Sequence, residues 1–369
     1  MTAAPVVVYG ATGYTGRLVC AELARRGVPV VASGRSPQRL AAVVDALPGA
    51  DVRTVPAALD DPAALRRVAS SAPVLANCAG PFVRTGDPVL GAAIAARAHY
   101  LDTTGEQAWI RRVLDDHDPA LRAAGVAAVP GMGFDYLPGD LLCHLVGAPI
   151  APLRRLEVGY HVDGFGMTRG TQRSALEMLD GRDVAYEDGR WRRGGRRPTR
   201  ASIVFPGGVG RRRVARYPSG EVATVPRHVA TREVAARIST VSVAPPALAG
   251  ALPVLAPALS LLLRTPLTRL LDRAIDRLPE GPTEQARRAA RWTIVARAEG
   301  EDGRVRRGTV RGPDVYGLTA RLIADGAQRL ADPAYDRRGG LAPAQAFDPR
   351  ATLDGLADFG IAWSVEDAG

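Results

Sequence analysis

Over the first 130 residues, short apolar runs alternate with stretches in which apolar residues recur every three or four positions. The runs at 6–9, 28–33, 52–55, 74–78, 100–102 and 126–129 predict six buried strands. A parallel strand covered on both faces is apolar throughout, whereas a half-exposed one alternates. The intervening spacing predicts helices over 17–26 and 38–46, a third after Asp61-Pro62, and a fourth opened by Asp87-Pro88 and running to Arg97. In Ser36-Pro37 and Asp61-Pro62 a capping side chain precedes a proline at the first helical position, where a missing N–H costs nothing. Strand and helix in alternation predict a parallel sheet with helices on both faces.

Beyond Pro138 the texture changes. Runs at 156–162, 201–205 and 235–243 predict longer strands joined by Gly- and Arg-rich turns, hence a mixed or antiparallel sheet. The pattern gives an α/β fold class, a Rossmann-type doubly wound parallel sheet plus an inserted α+β domain with a mixed sheet. The domains fall at 1–138 for the nucleotide-binding part and 139–339 for the substrate and dimerisation part. A helix over 316–330 is followed by a helix at 353–359 and a strand at 361–365, and the first domain is expected to be completed by about 340–369. The most hydrophobic segment, 243–263, carries Pro245, Pro246, Pro253 and Pro257 and ends at Arg264. Four prolines argue against a spanning helix and for a buried or pocket-covering pair, with contact at a membrane surface left open. An amphipathic run over 267–278 follows it.

Composition narrows the chemistry. Of 369 residues, 46% are apolar and 23% charged, an ordinary globular mixture that excludes wholesale disorder. Cys20, Cys78 and Cys143 form no close pair, so neither a disulfide framework nor a thiolate metal site is expected. The opening MTAAPVVVYG has no charged n-region before an apolar run, so a cytoplasmic protein is expected. All 48 basic residues counted as Lys+Arg are arginine. Without lysine there is no Schiff base, no lysine-assisted tyrosine acid and no P-loop lysine. The net charge of +10 concentrates at 190–216, where Arg192, Arg193, Arg196, Arg197, Arg200, Arg211, Arg212 and Arg213 lie among glycines. That region follows no nucleic-acid recognition motif; it reads as a solvated loop or hairpin pair, or a surface for an acidic partner.

The strongest motif is Gly10-Ala11-Thr12-Gly13-Tyr14-Thr15-Gly16, directly after the first strand and opening a helix. Glycines in that context let backbone approach a pyrophosphate, whose charge sits at the helix N-terminus. At the end of the second strand, where an NAD site offers a carboxylate, this chain has Arg35 and Ser36, with Arg39 one turn on. A guanidinium fork and a hydroxyl suit a 2′-phosphate, so NADP(H) is the expected cofactor. Ser36 serves equally as a plain helix cap. The fourth strand ends in Asn77-Cys78-Ala79-Gly80-Pro81-Phe82, small residues suited to the nicotinamide ribose, with Cys78 read as packing and not as a nucleophile. Gly105, Gly133 and Phe134, on the next two strand ends, complete the cofactor set. For a proton donor, Tyr136 ranks first and Asp135 second, with His99 and Asp102 read mainly as structural. No metal ligand set is evident.

These stretches resemble the saccharopine dehydrogenase-like oxidoreductases, and within them the bacterial branch of trans-acting enoyl reductases. The matching segments are GATGYTG at 10–16, ASGRS at 32–36, NCAGPF at 77–82, HYLDTTGE at 99–106 and PGMGFDYLPGD at 130–140. GTQRS at 170–174, RLPEGP at 277–282 and DVYGLTA at 314–320 extend the likeness over nearly the whole chain. The resemblance implies an N-terminal Rossmann domain, a substrate domain after the sixth strand, a C-terminal return and NADP(H)-linked hydride transfer. It also brings Thr171, Arg173 and Ser174 forward as residues facing the cofactor. The namesake is drawn with a lysine among its acid/base groups; this chain has none, so that substrate and mechanism do not carry over.

Two functions follow. The first is an NADPH-dependent reductase of an activated double bond, enoyl C=C foremost with C=N and C=O open, in a lipophilic or polyketide-type metabolite. It would take its substrate, free or on a carrier protein, in a deep apolar pocket between the domains. The 243–263 run would line that pocket, with Arg264 and Arg269 holding an acidic group. The second is a redox-inert NADP-binding sensor or scaffold, favoured by the lack of an evident acid/base pair. Neither calls for nucleic acid or a transmembrane span, and a homodimer is left open.

Overall fold

The computed structural model describes residues 3–178, 183–194, 201–243 and 274–368. Two compact units emerge, one from Met1–Phe134 with Tyr316–Leu341, the other from Asp135–Val315 with Ala342–Gly369.

In the first unit β1 (Val6–Tyr9), α1 (Tyr14–Arg25), β2 (Val30–Gly34), α2 (Pro37–Asp45), β3 (Val52–Pro56), α3 (Pro62–Ala69), β4 (Val74–Asn77), α4 (Phe82–Ala96), β5 (His99–Asp102) and β6 (Ala127–Val129) follow in order. The predicted strands recur within one or two residues. β1, β2 and β4 are buried at every position, as their unbroken apolar runs require. A two-residue strand, Gly339–Gly340, adds to β6, giving the parallel order Gly339–Gly340, β6, β5, β4, β1, β2, β3. Val7, Val31, Leu75, Leu90, Tyr100 and Trp109 belong to one core cluster. The order reverses between β1 and β4, and there Tyr9 lies opposite both Ser33 and Asn77. Register therefore brings the ends of β1, β2 and β4 to one edge, the place where open α/β sheets hold ligands.

α2 and α3 start where expected, with Ser36 accepting from the Arg39 N–H and Asp61 from the Ala64 N–H. α4 does not. It begins at Phe82, and Pro88 lies inside it. Asp87, expected as its cap, instead pairs with Arg112 at 2.5 Å and His117 at 2.9 Å. The true cap is remote: the Glu106 carboxylate accepts from the Phe82 and Val83 N–H groups at 2.9 and 2.7 Å.

The second unit holds a nine-stranded mixed sheet. It is built from β7 (Leu153–Asp163), β8 (Val184–Glu187), β9 (Arg190–Arg193), β10 (Ala201–Phe205), β11 (Gly210–Arg216), β12 (Val234–Ser239), β13 (Arg291–Gly300), β14 (Val305–Pro313) and a last strand, Ala362–Ala368. Only β12 and β7 pair in parallel; the rest are antiparallel. The helix Leu137–Gly147, buried along almost its whole length, packs against β13 and β14. The arginine-rich region forms two hairpins, β8–β9 and β10–β11; Arg196, Arg197 and Arg200 lie outside the described residues.

Three expectations need correction. The strand expected at 235–243 ends at Ser239, and Thr240–Val243 is helical. The helix expected at 353–359 is a shorter one, Pro349–Asp354, followed by a 3₁₀ turn at Ala357–Phe359. Finally, Tyr316–Leu341 completes the first unit, and 342–369 belongs to the second. The β6 edge is already taken by Gly339–Gly340, whereas β14 has a free edge, and Ala362–Ala368 pairs along it from Arg311↔Ala362 to Val305↔Ala368. Unpaired backbone donors and acceptors make such an edge costly to leave open. Nearly all of the apolar 243–263 run, with Arg264 and Arg269, lies outside the described residues. Among those described, no helix is long and apolar enough to cross a membrane.

Candidate cofactor site

The glycine-rich turn leaves β1 with Gly10 in the left-handed region at φ +79°, where an added Cβ would stand 2.9 Å from the Ala79 nitrogen. At Gly16 a Cβ would meet the Gly10 carbonyl oxygen at 2.1 Å, so strand and helix pack only with glycine there. Gly13 differs. Its φ of −77° and ψ of 167° suit any residue, and a Cβ would find nothing nearer than the Gly10 oxygen at 3.4 Å. Neither the fold nor the packing asks for glycine at 13. Gly13 is also the N-cap of α1 and supplies no side-chain acceptor, and the first turn of α1 carries no acidic residue. The N–H groups at Tyr14 and Thr15 thus open a site for an anion, favoured by the helix dipole.

The turn is braced from behind. The Thr12 carbonyl accepts from Arg17 at 2.8 Å and from Arg39 at 3.1 Å. Tyr14 sets its ring edge-on to Tyr316, 5.3 Å away. Arg39, drawn into this brace, is a fastening for the turn. Arg35 is exposed at the end of β2 and makes no hydrogen bond or ion pair among the described residues. Beside it Ser36 caps α2 and touches Gln38 at 3.3 Å.

At the β4 end, buried Asn77 donates to Tyr100 at 3.1 Å and accepts from the Ala79 N–H at 3.0 Å, fixing the path of Cys78-Ala79-Gly80-Pro81. Cys78 is half-buried; burial, then Cys20 and Asp102, hold its thiol above the ordinary range. It is poorly suited to act as a nucleophile. Asp102, fully buried, is the hub of this edge. It accepts from Trp109 Nε1 at 2.6 Å, and from Tyr100 Oη, the Thr104 N–H and the Gly131 N–H at 3.0 Å each. Burial raises its carboxyl to about 6 against the pull of those donors. His99 accepts from the Ala127 N–H at 3.0 Å, and burial followed by Arg338 lowers it to about 4. A neutral imidazole already engaged through Nδ1 holds β6 and is not an imidazolium acid at neutral pH. Gly105 and Gly133 sit in the loops after β5 and β6, and the Phe134 N–H donates to Thr319 at 3.1 Å.

Asp135 and Tyr136 open the second unit. Tyr136 is 1% exposed and stacks on Tyr217 at 6.3 Å, the two hydroxyls sharing a hydrogen bond. Tyr217 in turn sets its ring against Tyr160, 5.5 Å away, and Tyr160 donates to the buried carboxyl of Glu221. Burial raises Glu221 to about 8 and Asp135 to about 6. Tyr217 and Glu221 were missed in the sequence, where each stands alone among small and polar residues with no motif to flag it. Of the residues the family likeness brought forward, Arg173 pairs with Asp276 at 2.5 Å, and Thr171 faces Thr168 at 2.9 Å.

Residues 6–129 match the family model described as the saccharopine dehydrogenase NADP binding domain. A protein of Mycobacterium ulcerans named trans-acting enoyl reductase is 38% identical over 143 residues, covering 38% of this chain and 34% of that one. Its namesake in Mycobacterium leprae is 34% identical over 141 residues, covering 37% and 34%. The matched segment thus spans about a third of the curated relatives' length. In fold, the apo saccharopine dehydrogenase (L-Glu forming) of Saccharomyces cerevisiae superposes with a TM-score of 0.64 at 14% identity, covering 99% of this chain and 100% of that one. The N-terminal unit of this chain, with the uncapped α1 and the glycine turn in place, thus matches a domain of saccharopine dehydrogenase type whose cofactor is NADP.

Proposed function

We propose that this protein is an NADPH-dependent reductase that delivers hydride to an activated double bond, an enoyl C=C in a lipophilic or polyketide-type substrate. The single observation that carries the reading is Gly13, a glycine that packing does not require, at the N-terminus of α1 in a domain of NADP-binding type. The names of the relatives support the enoyl assignment over C=N and C=O.

The α1 N–H groups at Tyr14 and Thr15 bind the pyrophosphate, and Arg35 with Ser36 takes the 2′-phosphate. The 77–81 loop and the Gly105, Gly133 and Phe134 backbone border the nicotinamide ribose. Bound NADPH supplies the hydride; the protein orients, excludes water and provides the proton. For that proton the Tyr136–Tyr217 pair is the candidate, with Asp135 beside it. Burial holds both phenols above the ordinary tyrosine range, so each keeps its proton until a developing negative charge calls for it.

NADPH oxidation with a trans-2-enoyl N-acetylcysteamine thioester of long chain, compared with a small cyclic imine, tests the reading. Faster turnover of the thioester is expected. Preference for the imine overturns the lipophilic assignment. One observation favours the redox-inert alternative: His99, Asp102 and Tyr136 are all engaged in hydrogen bonds. Tight NADPH binding without turnover on either substrate would establish it.

A further inference from the structure

In the second unit, a cleft of about 460 Å³ is walled by the end of the helix Leu137–Gly147, the start of β14, the last strand and the helix Pro349–Asp354. Three guanidinium groups line it, those of Arg304, Arg306 and Arg350, with Asp367 as the acidic member and His144 at its wall. We propose that this cleft binds a phosphate-class oxyanion, held by Arg304, Arg306 and Arg350 and by His144, whose ring is joined through His228 to the buried carboxylate of Asp140. The proposal is independent of the reductase reading.

The arginines have donors to spare. Arg350 lies 5.0 Å over the Trp363 ring and makes no ion pair among the described residues. Arg304 uses its Nε on Asp302 at 2.6 Å. Arg306 uses Nε on Asp367 at 2.7 Å and Nη1 on the Leu145 carbonyl at 3.0 Å. Each therefore keeps N–H groups for a further acceptor. A carboxylate is satisfied by one such fork, whereas several converging forks match a phosphate, with its three or four oxygens and double charge.

The histidines make the site more than a basic patch. His144 Nδ1 and His228 Nδ1 face each other at 3.1 Å, and His228 Nε2 lies 2.9 Å from Asp140. Asp140 is fully buried and also accepts from Thr224 at 2.6 Å and the Ala344 N–H at 2.9 Å. Despite burial, His228, Thr224 and Ala344 hold its carboxyl below the usual range, so it is an anion. The Asp140 anion takes the hydrogen on His228 Nε2, and the two rings share a hydrogen bond between their δ nitrogens. His144 Nε2 is the ring nitrogen that this relay leaves over for a further partner. The groups that act on His144 are His228, Asp140, Asp348, Asp367 and the three arginines. Burial and His228 hold it below the ordinary imidazole value, against Asp140 and Asp348.

The test uses the full chain saturated with NADP⁺, labelled at its five histidines. Inorganic phosphate and glycerol phosphate are titrated separately at constant ionic strength, with chloride as control. Saturable shifts of the His144 and His228 ring signals are expected. Arg350→Gln and, separately, the exposed Arg304→Gln should each weaken binding about tenfold, the loss of one charge-assisted contact. His144→Gln should weaken binding and remove the response of the His228 signal, keeping residual binding through the arginines. Response to both compounds supports recognition of the oxyanion itself, and response to the ester alone supports an esterified ligand. No saturable shift with either, or unchanged affinity in both arginine variants, overturns the proposal.

Discussion

A methyl group at Gly16 would press on the Gly10 carbonyl at 2.1 Å, while one at Gly13 would touch only open space beyond 3.4 Å. Gly13→Val should therefore melt near the parent temperature yet lose NADPH binding, and Gly16→Val should lose at least about 2 kcal/mol of stability, since overpacking forces backbone apart. Thermal melts alongside fluorescence titration separate the two, and an unfolded Gly13→Val would assign that glycine to the fold. At Arg35, truncation to Ala should weaken NADPH by roughly ten- to a hundredfold and leave NADH nearly unchanged, because a lost charge-assisted phosphate contact costs about 1.5–3 kcal/mol. Equal losses for both nucleotides would mean that Arg35 packs on the adenine. Glu221 gives a pH prediction. Its carboxyl rises from 4.5 to about 8 on folding, so its contribution is complete below 4.5 and declines as pH rises towards 8. Glu221→Gln, neutral throughout, should flatten the fall of melting temperature between pH 5 and pH 8, recovering at most about 5 kcal/mol. Parallel pH profiles for the two proteins would refute it. The glycine turn and Arg35 were legible in the sequence because each is a local signal. Tyr217 and Glu221 were not, because a polar residue becomes significant only when a distant segment buries it.

At the scale of elements the same division recurs. Ser36 and Asp61 announce α2 and α3 because cap and helix are neighbours in sequence. The start of α4 is hidden, since its cap arrives from Glu106, 24 residues further on, and Asp87-Pro88 imitates a start that the helix passes through. Glu106→Gln replaces a charged acceptor of two helix N–H groups with a neutral one, and should cost about 1–2 kcal/mol in urea unfolding. Because the capped turn carries Gly80 and Pro81, NADPH affinity should fall in the same variant. A stability loss with unchanged affinity would show that the β4 loop keeps its shape without the cap. The last strand was found in the sequence but placed on the wrong sheet. Periodicity reveals a strand; its partner depends on which edge remains open, and that is settled by chain segments far away.

For the whole molecule, the series of alternating elements was enough to anticipate a parallel sheet followed by a mixed one, and the glycine turn at its edge. The division of the C-terminal third was not, since the apolar patterns of 316–341 and 342–369 reveal a helix and a strand without saying which unit each joins. Each unit is made of two stretches of chain, and the polypeptide passes from one unit to the other after Phe134, Val315 and Leu341. A ribosome releasing this chain finishes the six main strands of the nucleotide-binding sheet early, but Gly339–Gly340 and the helix Val315–Leu330 emerge some two hundred residues later. At about 5–20 residues per second that is a wait of roughly 10–40 s with the outer edge of β6 uncovered. The nascent sheet spends that interval as a sticky intermediate, and chaperones that shield open strand edges have their period of demand there. Slowing translation downstream of codon 134 should lengthen the exposure and lower the soluble yield, whereas the same slowing after codon 341 should not.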